Sequence, residues 1–136
     1  MKVIVDTSVW SLAFRRDHPA INNEVHELRQ LTKDGDAIII GSIRQELLSG
    51  IAEQTQFNFL QGLLAAYLDE PLTEADFELG ASCFNQCRKK GVQGGHTDFL
   101  ICAVAIRRKF SIFTVDKDFA NYAKVLPIKL HKIRAH

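Results

Sequence analysis

Met1-Lys2-Val3-Ile4-Val5-Asp6-Thr7-Ser8-Val9-Trp10 is the stretch from which the fold can be read. A short, β-branched apolar run ends abruptly at an acid followed by two hydroxyls. Valine and isoleucine favour a pleated, packed surface, and the run is too short for a helix, so residues 1–5 read as a buried strand. Asp is a strong helix N-cap, so a helix over residues 7–14 is expected to start directly from Asp6. A strand that feeds straight into a helix, with no hairpin turn, is the opening of a crossover between parallel strands.

The same pattern recurs along the chain. Asp34-Gly35-Asp36 is a turn signal, and residues 37–40 after it read as a second strand. Ser42 and Gln45 have the spacing of a capping box, so a helix carrying Glu46 is expected to run to about residue 50. Residues 111–115 form a further strand, closed by Asp116, with a short helix over 118–122. Ile21, Val25, Leu28 and Leu31 mark a helix over 20–33. Residues 52–68 read as a helix with a wide apolar face. Thr73 and Asp76 repeat the capping signature for a helix reaching residue 90. After a loop at 91–95, Thr97 is positioned to cap an apolar helix over 98–107. Residues 67–72 suit a short strand, and residues 125–130 suit an edge strand, where Pro127 can be tolerated. The expectation is an α/β fold in one domain over residues 1–136. Its central, mostly parallel sheet of about five short strands lies between helices.

Composition limits what such a domain can be. The 136 residues suffice for one real core and are too few for two ordinary domains. No apolar run approaches a membrane span, and the N-terminus enters a strand at once, without a signal-peptide pattern. Cys83, Cys87 and Cys102 are odd in number and lack a zinc-like partner pair, so they read as core residues in a reducing cytoplasm. The net charge of +1 makes the whole molecule no magnet for nucleic acid. The basic end (Lys129, His131, Lys132, Arg134, His136) and a bound cation would both alter the local field, so that argument is weak.

Four acids stand where strands end: Asp6, Glu46, Asp98 and Asp116. Each has a plain alternative role. Asp6, Asp116 and Asp118 could simply cap helices, Asp98 could be a first-turn acid favoured by the helix dipole, and Glu46 could be solvated. Their joint placement argues otherwise, because carboxyl ends of parallel strands converge on one crevice. Converging carboxylates are tolerable around a hard divalent cation such as Mg²⁺ or Mn²⁺, which points to metal-assisted chemistry on phosphate. Other acidic α/β signatures are missing, among them an Asp-x-Asp at the first strand end and a glycine-rich phosphate loop. The five histidines are scattered, and only His96 falls near the acids.

Val5–Trp10, Arg44–Gly50, His96–Ala103 and Phe113–Phe119 resemble the successive motifs of a PIN domain, in the family's order and across nearly the whole chain. In length the sequence is most similar to the VapC toxins of type II VapBC toxin–antitoxin pairs. The resemblance implies a PIN-like three-layer sandwich and a metal-dependent endoribonuclease. Mg²⁺ or Mn²⁺ would be held by Asp6, Glu46, Asp98 and Asp116, with Thr7 and Thr114 supporting the site. Asp118 competes with Asp116 for the fourth place; Asp116 is favoured because it closes the strand two residues after Thr114. The resemblance further implies a structured RNA substrate such as tRNA or rRNA, a VapB-type antitoxin that blocks the groove, and a homodimer. Arg15, Arg16, Arg44 and Lys117 are the candidates for phosphate contacts. The clusters at Arg88–Lys90 and Arg107–Lys109 complement helix dipoles and need no further role. The apolar stretch from Phe57 to Leu68 exceeds what one small helix hides, so part of it should meet a second copy or the antitoxin. The alternatives are a PIN nuclease of RNA processing and a metal-occupied RNA-binding module without turnover.

Overall fold

A computed structural model describes residues 1–14 and 22–134. Its elements alternate as the sequence pattern requires: β1 (Val3–Val5), α1 (Thr7–Ala13), α2 (Asn23–Lys33), β2 (Ala37–Ile38), α3 (Gly41–Leu48), α4 (Gln54–Leu64), α5 (Glu74–Lys89), α6 (His96–Arg108), β3 (Ser111–Phe113) and α7 (Asp118–Ala123). The strands lie in the order β2-β1-β3, and both pairings are parallel. Ile39 bridges Asp69 on one side, and Ile112 bridges Leu130 on the other, both parallel. The two outer strands expected over 67–72 and 125–130 are therefore present only as single bridges. Proline has no N–H to give a ladder, and Pro71 and Pro127 fall within these segments.

β1 is the centre of the sheet, and all three of its residues are buried. Asp6 caps α1, accepting from the Ser8 backbone N–H, so the chain turns from strand to helix with no intervening loop. The buried Trp10 indole N–H donates to the Val5 carbonyl at 2.9 Å and holds α1 back against the strand end. α6 is buried on nearly every side, with Phe99 to Ala105 all within the core. All three cysteines are free and buried, as core residues should be.

Two expected caps are not used. α3 begins at Gly41 with Ile40 in the N-cap position, so Ser42 lies inside the helix and its box with Gln45 does not form. α6 begins at His96 with Gly95 as N-cap, so Thr97 lies inside the first turn. By contrast, the Thr73–Asp76 capping box is present at the start of α5. The helix expected over 52–68 is shorter, with Glu53 capping it through the Gln56 N–H at 2.8 Å. Arg15, Arg16 and Ile21 lie outside the described residues.

Arginines 107 and 108 have a structural use that their sequence position hides. Asp76 is fully buried and accepts from Arg107 Nη1 at 2.7 Å and from Arg108 Nη1 and Nη2 at 2.7 and 2.9 Å. Arg108 Nε also reaches Glu70 at 2.9 Å. The pair thus locks the start of α5 to the end of α6. At the far edge, buried Glu27 on α2 meets His131 Nε2 at 2.6 Å and Arg134 Nε at 3.0 Å.

Candidate active site: a four-carboxylate cleft

Asp6, Glu46, Asp98 and Asp116 come from the end of β1, from α3, from the first turn of α6 and from the segment after β3, and all four line one open cleft. Thr7, Ser8, Ser42 and Thr97 border it with hydroxyls. The displaced caps now have a reason: Ser42 and Thr97 face the cleft and are not spent on helix ends.

Each acid is held by one oxygen. Asp6 Oδ2 accepts from Ser8 Oγ at 2.7 Å and from Thr114 Oγ1 at 2.9 Å. Glu46 Oε1 accepts from Thr7 Oγ1 at 2.7 Å. Asp98 Oδ2 accepts from the Tyr122 hydroxyl at 2.8 Å. Asp116 Oδ1 accepts from the Asp118 N–H at 2.9 Å, and Thr114 Oγ1 accepts from the Asp116 N–H at 2.9 Å. Among the described residues, no hydrogen bond reaches Asp6 Oδ1, Glu46 Oε2, Asp98 Oδ1 or Asp116 Oδ2, and no polar side-chain atom is both buried and unpartnered. One oxygen of each carboxylate thus carries no protein hydrogen bond among the described residues.

The acids also feel one another. Burial pushes the Asp98 carboxyl up to about 6; the Tyr122 hydrogen bond opposes this, and the charges of Asp6, Asp116 and Glu46 add to it. Like charges in a partly dry cleft disfavour further ionisation. An all-oxygen donor set of this kind suits a hard divalent cation. Among the described residues, no three such side chains are already drawn together to hold an ion, so a cation would have to pull them inward.

Thr7 and Thr114, expected to support the site, bond to Glu46 and Asp6 respectively. Asp116 lines the cleft, whereas exposed Asp118 steadies it through its backbone. Arg44 is engaged elsewhere: its guanidinium reaches Asp69 at 2.9 Å and the carbonyls of Leu64 and Tyr67 at 3.0 and 2.7 Å. It ties α3 to the segment after α4 and does not line the cleft. Lys117 is exposed. His96 stands outside the cleft, its ring stacked on Phe84 with centroids 5.1 Å apart. Sequence reasoning assigned no role to Ser8 or Tyr122. Ser8 carried a signal, since a hydroxyl two residues after an acid often bonds locally. Tyr122 carried none, being 24 residues from Asp98.

The acids thus gather in one cleft beside a small parallel sheet in an α/β fold. Residues 3–125 match the PIN domain family, and the chain belongs to it. Solved structures with the same fold include FitAcB from Neisseria gonorrhoeae, at 20% identity and a TM-score of 0.74, covering 96% of each chain. VapBC2 from Rickettsia felis, bound to a DNA fragment from its promoter, matches at 16% identity and a TM-score of 0.75, covering 96% of this chain and 98% of that one. DNA-bound VapBC from Salmonella typhimurium matches at 13% identity and 0.73, covering 96% and 97%. A search of curated proteins returns no match.

Proposed function

We propose that this protein is the toxin half of a type II toxin–antitoxin pair, acting as a Mg²⁺- or Mn²⁺-dependent endoribonuclease on structured RNA such as tRNA or rRNA. The observation that carries the reading is the cleft itself, which is lined by four carboxylates from four segments of the chain. Asp6, Asp98 and Asp116 would hold the cation, with Glu46 as a further ligand or as the group that orients water. When bound, the cation supplies a water acidic enough to attack phosphate at neutral pH and offsets charge building on the phosphoryl oxygens.

The chain's own groups prepare that chemistry. Ser8 and Thr114 hydrogen-bond to Asp6 and Thr7 to Glu46, and so orient these carboxylates before a cation draws the acids together. Ser42 and Thr97 offer neutral donors at the rim, where a phosphate can bond without adding repulsion. Lys117, exposed beside Asp116, together with Arg15 and Arg16, is proposed to meet the RNA backbone.

The toxin assignment rests on likeness to VapBC structures and to a structure described as a toxin–antitoxin complex from Klebsiella pneumoniae. It is supported by an apolar groove of about 650 Å³ between the end of α1 and α4, lined by Phe14, Ile51, Phe59 and Leu63. Phe59 is 68% exposed, a large apolar surface for a lone chain. We assign this groove to a VapB-type antitoxin, and the protein is further proposed to form a homodimer in the cytoplasm. Induced expression of the chain alone in a bacterium should arrest growth, and Asp6→Asn should relieve the arrest. Unimpaired growth with the wild-type chain would contradict the toxin assignment.

A further inference from the structure

Tyr122 is fully buried, and its hydroxyl donates from beneath the cleft to Asp98 at 2.8 Å. Three contacts fix where that hydroxyl sits. The Tyr122 ring packs against Phe99, the residue after Asp98, with centroids 4.9 Å apart. It meets Phe119 edge-on at 5.1 Å. Above it runs the loop before α6, where Gly94 leaves room: a Cβ built on Gly94 would overlap the Tyr122 hydroxyl and lie 2.7 Å from its Cζ. Any side chain at position 94 would displace the ring or the loop. The φ of Gly94 is not in the left-handed region, so close approach is the reason this position needs glycine.

We propose that the Tyr122 hydroxyl, admitted by the absent side chain at Gly94, is the positioning group that presets Asp98 for cation binding. The inference rests on the metal-dependent reading above. Asp98 sits on the first turn of α6 with two oxygens that could exchange places by rotation. A fixed donor on Oδ2 opposes that rotation and leaves Oδ1 as the oxygen without a protein partner among the described residues. The donor itself is held in place, because its ring packs against Phe99 and Phe119. Partners that orient ligating carboxylates typically contribute 10–100-fold to metal affinity. Tyr122 does not itself line the cleft, so its action runs through Asp98.

The test is calorimetric titration of Mn²⁺ into the wild-type chain, Tyr122→Phe, Gly94→Ala and the double variant, with melting curves in chelator for each. Tyr122→Phe should weaken Mn²⁺ binding about 10–100-fold while the metal-free melting temperature stays close to wild type. Gly94→Ala should weaken binding similarly, and the double variant should be little worse than Tyr122→Phe alone, because both act through one hydrogen bond. Wild-type affinity in Tyr122→Phe would overturn the inference while leaving the metal reading intact. A fall in melting temperature with unchanged affinity would likewise overturn it, by making Tyr122 purely structural. Failure of the wild-type chain to bind Mn²⁺ would overturn both. Should Gly94→Ala fail to fold, Tyr122→Phe alone decides.

Discussion

Asp98 is the acid whose charge costs the metal-free fold most, and that cost should be visible as a pH dependence. Its carboxyl is raised from 3.8 to about 6, chiefly by burial. A raised carboxyl binds its proton more tightly folded than unfolded, so its contribution is present below the unfolded value and is lost as pH climbs through about 6. Melting in chelator should therefore weaken between about pH 4 and pH 6. Asp98→Asn should flatten that decline and stabilise the metal-free chain near neutrality by about 1–2 kcal/mol, after discounting for the open cleft. A variant as pH-sensitive as the wild type would show that Asp98 is not the group responsible. At this scale the four acids were legible because Asp6 and Asp116 close apolar runs, Glu46 follows one and Asp98 opens one. Asp6 both caps α1 through Oδ2 and lines the cleft. Tyr122 was not legible, because only tertiary packing brings it to Asp98.

Helix ends tell a similar story one level up. The Thr73–Asp76 box was readable because it is local, and it forms. The Ser42 and Thr97 caps were misread because both hydroxyls border the cleft, and residues without capping side chains, Ile40 and Gly95, stand at those helix starts. What the box conceals is its second task. Asp76 also receives Arg107 and Arg108, 31 and 32 residues away, and their hydrogen bonds hold its carboxyl far below the usual carboxylate range despite burial. A depressed carboxyl stabilises above its unfolded value and loses that contribution as pH falls, so Asp76 opposes Asp98 and should make the fold acid-labile below about pH 4. Asp76→Ala leaves two guanidinium groups without their shared acceptor and should cost about 3–5 kcal/mol in urea denaturation. A loss below about 1 kcal/mol would mean solvent replaces the latch.

Across the whole molecule, the alternation of strand and helix made a parallel sheet predictable, and β2-β1-β3 is parallel throughout. The sheet's two outer members, the segments around Pro71 and Pro127, pair in parallel at one residue each. The far edge is closed by side chains instead, through Glu27 with His131 and Arg134. The basic C-terminal residues, read from sequence as a feature of charge distribution, thus serve the fold in part. Truncation after Leu130 should lower stability by about 3 kcal/mol by stripping Arg134 and His131 from a buried carboxylate, measurable by thermal melting. No helix among the described residues is long and apolar enough to cross a membrane.

The central claim is that the cleft cuts RNA with a bound cation, and the most direct measurement is cleavage of total tRNA and rRNA by the purified chain. The reaction should be run with Mg²⁺ or Mn²⁺, with chelator, and with Asp98→Asn. The account predicts discrete cuts in the presence of metal, none with chelator, and a loss of at least about 100-fold in the variant. Cuts that persist in chelator or in Asp98→Asn would contradict it, as would RNA that binds and stays whole under every condition.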